Sequence, residues 1–134
     1  MLSKISDDTA LMLGGLGCAG WAASSLAKPG FANKILYGSE GDGPMTAMTN
    51  YFGCGMGLNA ANAIMMARDS GCPTKTKKDV LKASGTAWLV AAGVGAYHTN
   101  KGNIKKEAGW ANAAACAGLG ALLLAKGRCS KVEL

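Results

Sequence analysis

The sequence has few of the residues with which enzymes do chemistry. Among its 134 residues there is a single histidine, His98, and there is no P-loop, no nucleophile–base pair and no histidine cluster. Because there is only one histidine, the chain cannot supply both axial ligands of a haem with two histidine ligands. The five cysteines form no CxxC motif and are odd in number, so we expect free thiols rather than a metal site or a disulfide framework. These absences predict a protein that is not an enzyme.

Charge is missing from four long stretches, residues 9–27, 43–67, 83–100 and 108–125. At about 1.5 Å per residue, an uncharged helix of this length crosses a hydrocarbon core of roughly 30 Å, whereas a soluble helix normally has a charged face. We therefore expect an all-α integral membrane protein. The prediction is one domain over residues 1–134, with four transmembrane helices at about 9–27, 44–68, 79–98 and 105–125. The alternative is a soluble helical bundle rich in alanine and glycine, which the mean hydropathy of +0.15 favours.

Two short segments outside these stretches also carry predictions. Residues 31–37 place two aromatic and two aliphatic side chains close together, which predicts a short interfacial helix between helices one and two, or an irregular loop clamped on the bundle. Residues 1–8 combine one lysine with two aspartates, so we expect them not to be a targeting sequence.

Small residues recur four apart within the uncharged stretches, and this spacing favours close contact between helices. We expect helix-packing seams at these positions. They are Gly53, Gly57 and Ala61 in the second stretch, Ala87, Ala91 and Gly95 in the third, and Gly109, Ala113 and Ala117 in the fourth.

A few polar side chains in or beside the uncharged stretches are candidate ligands. His98 can offer an imidazole nitrogen to the metal of a tetrapyrrole, and it can equally be a solvated interfacial histidine. Asn50, Asn59, Asn62 and Asn112 carry amide oxygens that can ligate magnesium, but hydrogen bonds between helices explain them equally well. No other metal site is expected.

The basic residues predict an orientation. The net charge is +6, and nine of the 14 lysines and arginines lie near the two termini or between stretches two and three, against five on the other side. The positive-inside rule places both termini on the cytoplasmic, stromal or matrix side. Because the basic clusters lack interleaved aromatics, lipid headgroups are the expected partner and nucleic acid is not.

Two adjacent segments, FANKILYG and PMTAMTNYFGCGMGLNAANA, carry a family resemblance. The chain resembles small four-helix membrane proteins of algal plastids, including accessory subunits of photosystem–antenna supercomplexes in algae with red-lineage plastids. The resemblance implies a non-catalytic subunit in the chloroplast thylakoid membrane that contacts chlorophyll and carotenoid and helps antenna proteins to dock. Its partners would be integral membrane proteins.

Two other functions fit the same residues. An accessory subunit of a mitochondrial respiratory complex or ATP synthase would carry the same small-residue helices. A small membrane transporter or channel is the third possibility, although such proteins normally show charge or broken helices at mid-membrane.

Overall fold

A computed structural model describes residues 5–128, and this part of the chain contains five α-helices and no strand. The helices are α1 (Asp7–Ala27), α2 (Pro29–Tyr37), α3 (Gly43–Arg68), α4 (Thr74–Asn100) and α5 (Lys106–Arg128). The prediction of an all-α chain is therefore confirmed, and of the two alternatives for residues 31–37 the structure has the short helix rather than the irregular loop.

Local sequence sets most of the helix boundaries. Ser6 caps α1, its hydroxyl accepting from the Thr9 amide at 3.0 Å, and Asp42 caps α3 by accepting from the Met45 amide at 2.9 Å. α2 ends where Gly38 takes a left-handed conformation with φ of 85°. The largest difference from the prediction is the start of α4, which begins five residues earlier and includes the basic run.

The four long helices form two tightly packed antiparallel pairs, α1 with α3 and α4 with α5. A run of buried positions in alternating steps of three and four, as in a coiled coil, follows α1 and α5, and α4 shows the same steps with one position skipped between Gly85 and Ala92. These positions are Leu11, Gly15, Cys18, Ala22 and Ser25 in α1, Leu81, Gly85, Ala92, Gly95 and Thr99 in α4, and Gly109, Ala113, Cys116, Gly120, Leu123 and Gly127 in α5.

This spacing corrects the predicted seams. A step of four residues turns about 400°, so a strict four-residue stripe drifts about 40° per step away from the partner helix. Gly53 is buried, Gly57 is half-buried, and Ala61, two steps on, is exposed. The α1–α3 contact instead follows Gly53, Ala60 and Ala63.

The same drift appears in the other pair. Gly95, Gly109 and Ala113 are buried as a seam requires, but Ala117 is only half-buried. Ala87 and Ala91 turn away from α5 and are exposed along a cavity. A close approach of the two backbones in this pair involves residues that the four-residue stripe missed: a Cβ on Gly85 would lie 2.9 Å from the Gly120 carbonyl oxygen.

The two pairs join mainly at one end of the bundle. There Ala10 and Leu11 of α1 pack against Leu81 of α4 and Leu123 of α5, and all four side chains are almost fully buried. We call this the ion-pair end, because Asp7, Asp8, Lys77, Lys78 and Lys126 meet beside this core. The opposite end, which α2 covers, is the α2 end. A hydrogen bond of 2.8 Å from the Lys105 amide to the Leu36 carbonyl ties α2 to the turn before α5.

The starts of α1 and α4 and the end of α5 are level, since the Lys77 ammonium lies 2.7 Å from an Asp8 carboxylate oxygen and the Lys126 ammonium lies 3.9 Å from an Asp7 carboxylate oxygen. The described ends of the chain thus lie at the same end of the bundle. Residues 1–4 and 129–134, with Cys129, lie outside the described residues, and the membrane side of the termini stays a prediction. The other four cysteines are free.

Two helices of the described chain are long and apolar enough to cross a membrane. They are α1, with 21 residues, and α5, with 23 residues, whose most apolar 18-residue windows have mean hydropathies of 1.4 and 1.5. The prediction of four such helices is not confirmed, because uncharged is not the same as apolar. α3 carries Asn50, Asn59 and Asn62, and the first turns of α4 are rich in lysine.

Candidate functional site

A cavity of about 530 Å³ separates the two helix pairs beyond the leucine core. Its floor is formed by Leu11, Leu81 and Leu123 at the ion-pair end, and Leu36 and Tyr37 of α2 line it at the other end. A space of this size between helices is typical of a ligand site.

Aromatic side chains give the cavity its shape. Trp21 of α1 and Phe52 of α3 meet edge to face, with ring centroids 6.2 Å apart and an interplanar angle of 81°. Trp88 of α4 lines the opposite wall. Rings from both helix pairs line the cavity, and the small side chains of Ala87 and Ala91 on α4 occupy little of its volume.

A polar cluster closes the cavity at the α2 end. The Asn33 side chain is 1% exposed, and its amide nitrogen donates to the Glu40 carbonyl at 3.1 Å. Its amide oxygen accepts from the Thr49 hydroxyl at 2.7 Å. Asn33 therefore joins α2, the following turn and α3 through one buried side chain.

Two further asparagines line the cavity along its length. The Asn59 side chain donates to the Gly55 carbonyl at 3.1 Å, one turn back on α3. The Asn112 amide oxygen accepts a weak bond from the Cys116 thiol at 3.7 Å on α5. Both amides bond within their own helix, so neither joins two helices.

The predicted ligand residues do not all converge on this cavity. Asn59 lines it, Asn62 is exposed, and Asn50 is half-buried with an amide oxygen that has no hydrogen-bond partner among the described residues. His98 lies at the far end of α4, its Nδ1 3.0 Å from the Asn103 side-chain nitrogen and its ring edge to face with Tyr97. A role for these four residues in binding pigment stays a prediction.

Asn112, which the sequence offered as a candidate ligand, lines the cavity together with Asn59. Sequence reasoning did not single out Asn33 or Trp88 as site residues. Asn33 had a usable signal, because it is the one polar residue without charge inside a short amphipathic segment. Trp88 had none, since its role depends on how the two helix pairs are placed.

A network of charged side chains lies at the opposite end. The Lys77 ammonium donates to an Asp8 carboxylate oxygen at 2.7 Å, and the Lys78 ammonium donates to Asp7 at 2.9 Å and to the Lys126 carbonyl at 2.7 Å. The hydrogen bond to Asp8 raises the pKa of Lys77 above its ordinary value of 10.5, while partial burial opposes that shift. The network ties α1, α4 and α5 together where the pairs meet.

Residues 5–128 contain no group of three or more histidine, cysteine or acidic side chains placed to hold a metal ion. What the geometry offers is an apolar volume edged by a few amides. No family model, no curated protein and no solved structure matches the chain.

Proposed function

We propose that this chain is a non-catalytic accessory subunit held laterally in a larger membrane complex. The observation that carries the proposal is a set of glycines in helix interiors that face outward. These glycines are Gly20, Gly55, Gly93 and Gly118. Apart from its chain neighbours and the backbone of its own helix, a Cβ added to any of them would have no described atom within 4 Å. Glycine inside a helix costs about 0.5–1 kcal/mol relative to alanine. Packing within the chain does not explain why glycine is present at these positions despite that cost, whereas close contact with a helix of a partner protein does.

The distribution of charge supports a membrane location. The four uncharged segments lie side by side, and every charged side chain between residues 5 and 128 lies at the ion-pair end or the α2 end. The shortest segments have 18 residues, which gives an uncharged belt about 27 Å thick, close to the hydrocarbon thickness of a bilayer. Large apolar side chains such as Leu16, Leu58 and Val90 are more than half exposed on this belt.

The pairing of the helices supports four crossings despite the lower hydropathy of α3 and α4. Each tight pair combines one helix apolar enough to cross a membrane with one more polar helix, α1 with α3 and α5 with α4. A helix with few apolar residues inserts more readily when a neighbour covers its polar side.

The finer proposal is a subunit of a photosystem–antenna supercomplex in the thylakoid that contacts chlorophyll and carotenoid. It rests on the resemblance alone. Comigration with a respiratory complex or ATP synthase would favour the mitochondrial alternative, and substrate flux in liposomes would favour a transporter or channel.

The experiment is a native gel of solubilised membranes probed for this chain, comparing wild type with Gly118→Leu. We expect wild type to migrate with a large complex, and Gly118→Leu to fold normally by circular dichroism but to migrate alone. Gly43→Leu is the matched control, because this glycine is also unobstructed but lies at the helix start outside the belt. A wild-type chain that purifies as a stable monomer, free of partners, would remove the subunit role.

A further inference from the structure

The cavity between the helix pairs is open on one side. The opening lies between α3 and α4, where lining side chains of both helices are exposed: Phe52 of α3 by 52% and Val94 of α4 by 53%. α3 and α4 touch only sparsely, so nothing in the described chain closes this gap. The opening lies within the uncharged belt, and in a bilayer it would face the hydrocarbon directly.

The length and the lining of the cavity fit one extended chain. Along α1 the lining runs from Leu11 to Ser25, which is about 21 Å of helix. At the leucine floor the lining is apolar, and at the α2 end it includes Asn33 and Thr49. The cavity therefore matches a molecule with one apolar tail and a polar end.

We infer that this cavity binds a single acyl chain of a membrane lipid, entering between α3 and α4. A lipid tail reaches about half of the hydrocarbon core, roughly 15 Å, so it is accommodated in full. The methyl end points to the leucine floor at the ion-pair end. The polar end of the lipid lies at the α2 end, where Asn33, Thr49 and Tyr37 supply the polar lining. The inference rests on the proposed membrane location.

The test uses the full-length chain in detergent micelles and 9,10-dibromostearic acid, whose bromines quench tryptophan fluorescence on contact. One variant keeps only Trp88, which lines the cavity, and the other keeps only Trp110, which is 52% exposed and does not line it. Phenylalanine replaces the remaining tryptophans, so each position that shapes the cavity keeps an aromatic ring. We expect saturable quenching of Trp88 at one fatty acid per chain. Trp110 should show only the gradual quenching of fatty acid partitioning into the micelle.

A cavity-filling variant and a matched control complete the design. In the Trp88-only chain, Ala91→Phe places a ring in the cavity, whereas Ala83→Phe places the same ring on an exposed part of the same helix. Ala91→Phe should weaken saturable quenching by at least about tenfold, and Ala83→Phe should not change it. Both variants are first checked for wild-type helicity.

Two results would overturn the inference: no saturable quenching of Trp88, or equal quenching in Ala91→Phe and Ala83→Phe. A pigment, rather than a lipid, retained in the cavity of the purified chain would also overturn it. The measurement is made on the isolated chain, so it does not depend on partner subunits. Failure of the proposed membrane role is detected separately, by release of the chain from native membranes in alkaline carbonate.

Discussion

Glycines at the α4–α5 contact allow two helix backbones to touch. A Cβ on Gly85 would lie 2.9 Å from both the Gly120 carbonyl oxygen and the Leu124 Cα, so any side chain there must push the helices apart. Gly93 on the same helix has open space around it. Two glycines of one helix are thus present for different physical reasons.

Replacing each of these glycines by alanine should move stability in opposite directions. Gly85→Ala should lower the free energy of unfolding by about 1–3 kcal/mol through overpacking. Gly93→Ala should raise it by about 0.5–1 kcal/mol, because alanine is the better helix former. Denaturant unfolding in micelles, followed by circular dichroism, measures both. Equal changes in the two variants would show that α4 and α5 do not meet at Gly85.

Lys77 makes the stability of the ion-pair end depend on pH. The pKa of Lys77 is raised in the folded chain, so its stabilisation is fully present below its ordinary pKa of 10.5 and is lost as pH rises through the folded pKa. We therefore expect the stability difference between wild type and Asp8→Asn to be constant up to about pH 10 and to disappear above that. Thermal unfolding between pH 8 and 12 measures it.

The control for this prediction is Asp79→Asn, which removes the acidic partner of two exposed lysines. Exposed pairs contribute about 0–1 kcal/mol, so this variant should differ little from wild type at any pH. If Asp79→Asn shows the same loss above pH 10, the effect belongs to general lysine titration and not to Lys77.

At the scale of the helix, the sequence predicts which helices form and where they begin and end better than it predicts which face of each helix packs against its partner. Uncharged stretches and flanking caps place all four long helices, and only the start of α4 differs by as much as five residues. The face that packs is harder, because it depends on the path of the partner helix. Strict steps of four select Ala61 and Ala117, whereas two helices that stay in contact over six turns require alternating steps of three and four.

α2 depends on one buried side chain for its position. Replacing Asn33 by leucine would leave the Glu40 carbonyl without its donor and the Thr49 hydroxyl without one acceptor. We expect the amides of residues 29–41 to exchange about tenfold faster with deuterium, while those of 106–128 stay protected. Mass spectrometry of the exchanged peptides reads both.

The matched control is Asn62→Leu, which places the same substitution on an exposed position of α3. It should leave the exchange of residues 29–41 unchanged. If Asn33→Leu also leaves that exchange unchanged, α2 is held by its apolar contacts and not by the asparagine.

At the scale of the whole molecule, the cavity was beyond sequence reasoning. Each of its walls is an ordinary apolar helix face, and only the placement of the two pairs leaves Trp88, Phe52 and Asn112 around a common space. The predicted ligand residues illustrate the same limit. Asn59 and His98 are both polar groups near uncharged segments, yet one lines the cavity and the other lies outside it.

The two ends of the bundle should lie on opposite sides of a membrane. Cys72 is in the turn between α3 and α4 at the ion-pair end, and Ser39 is exposed in the turn after α2 at the other end. One variant carries Cys129→Ser and keeps Cys72. The second carries Cys72→Ser, Cys129→Ser and Ser39→Cys. Cys18 and Cys116 are buried and Cys54 lies within the uncharged belt, so a charged maleimide should not reach them.

In sealed vesicles of one orientation, the maleimide should label one variant from outside and the other only after detergent is added. The larger number of basic residues at the ion-pair end predicts that Cys72 lies on the cytoplasmic, stromal or matrix side. Labelling of both variants from the same face would mean that the uncharged belt does not cross the bilayer. A bundle about 27 Å thick that bound at the surface would expose both turns, so this measurement separates crossing from surface attachment.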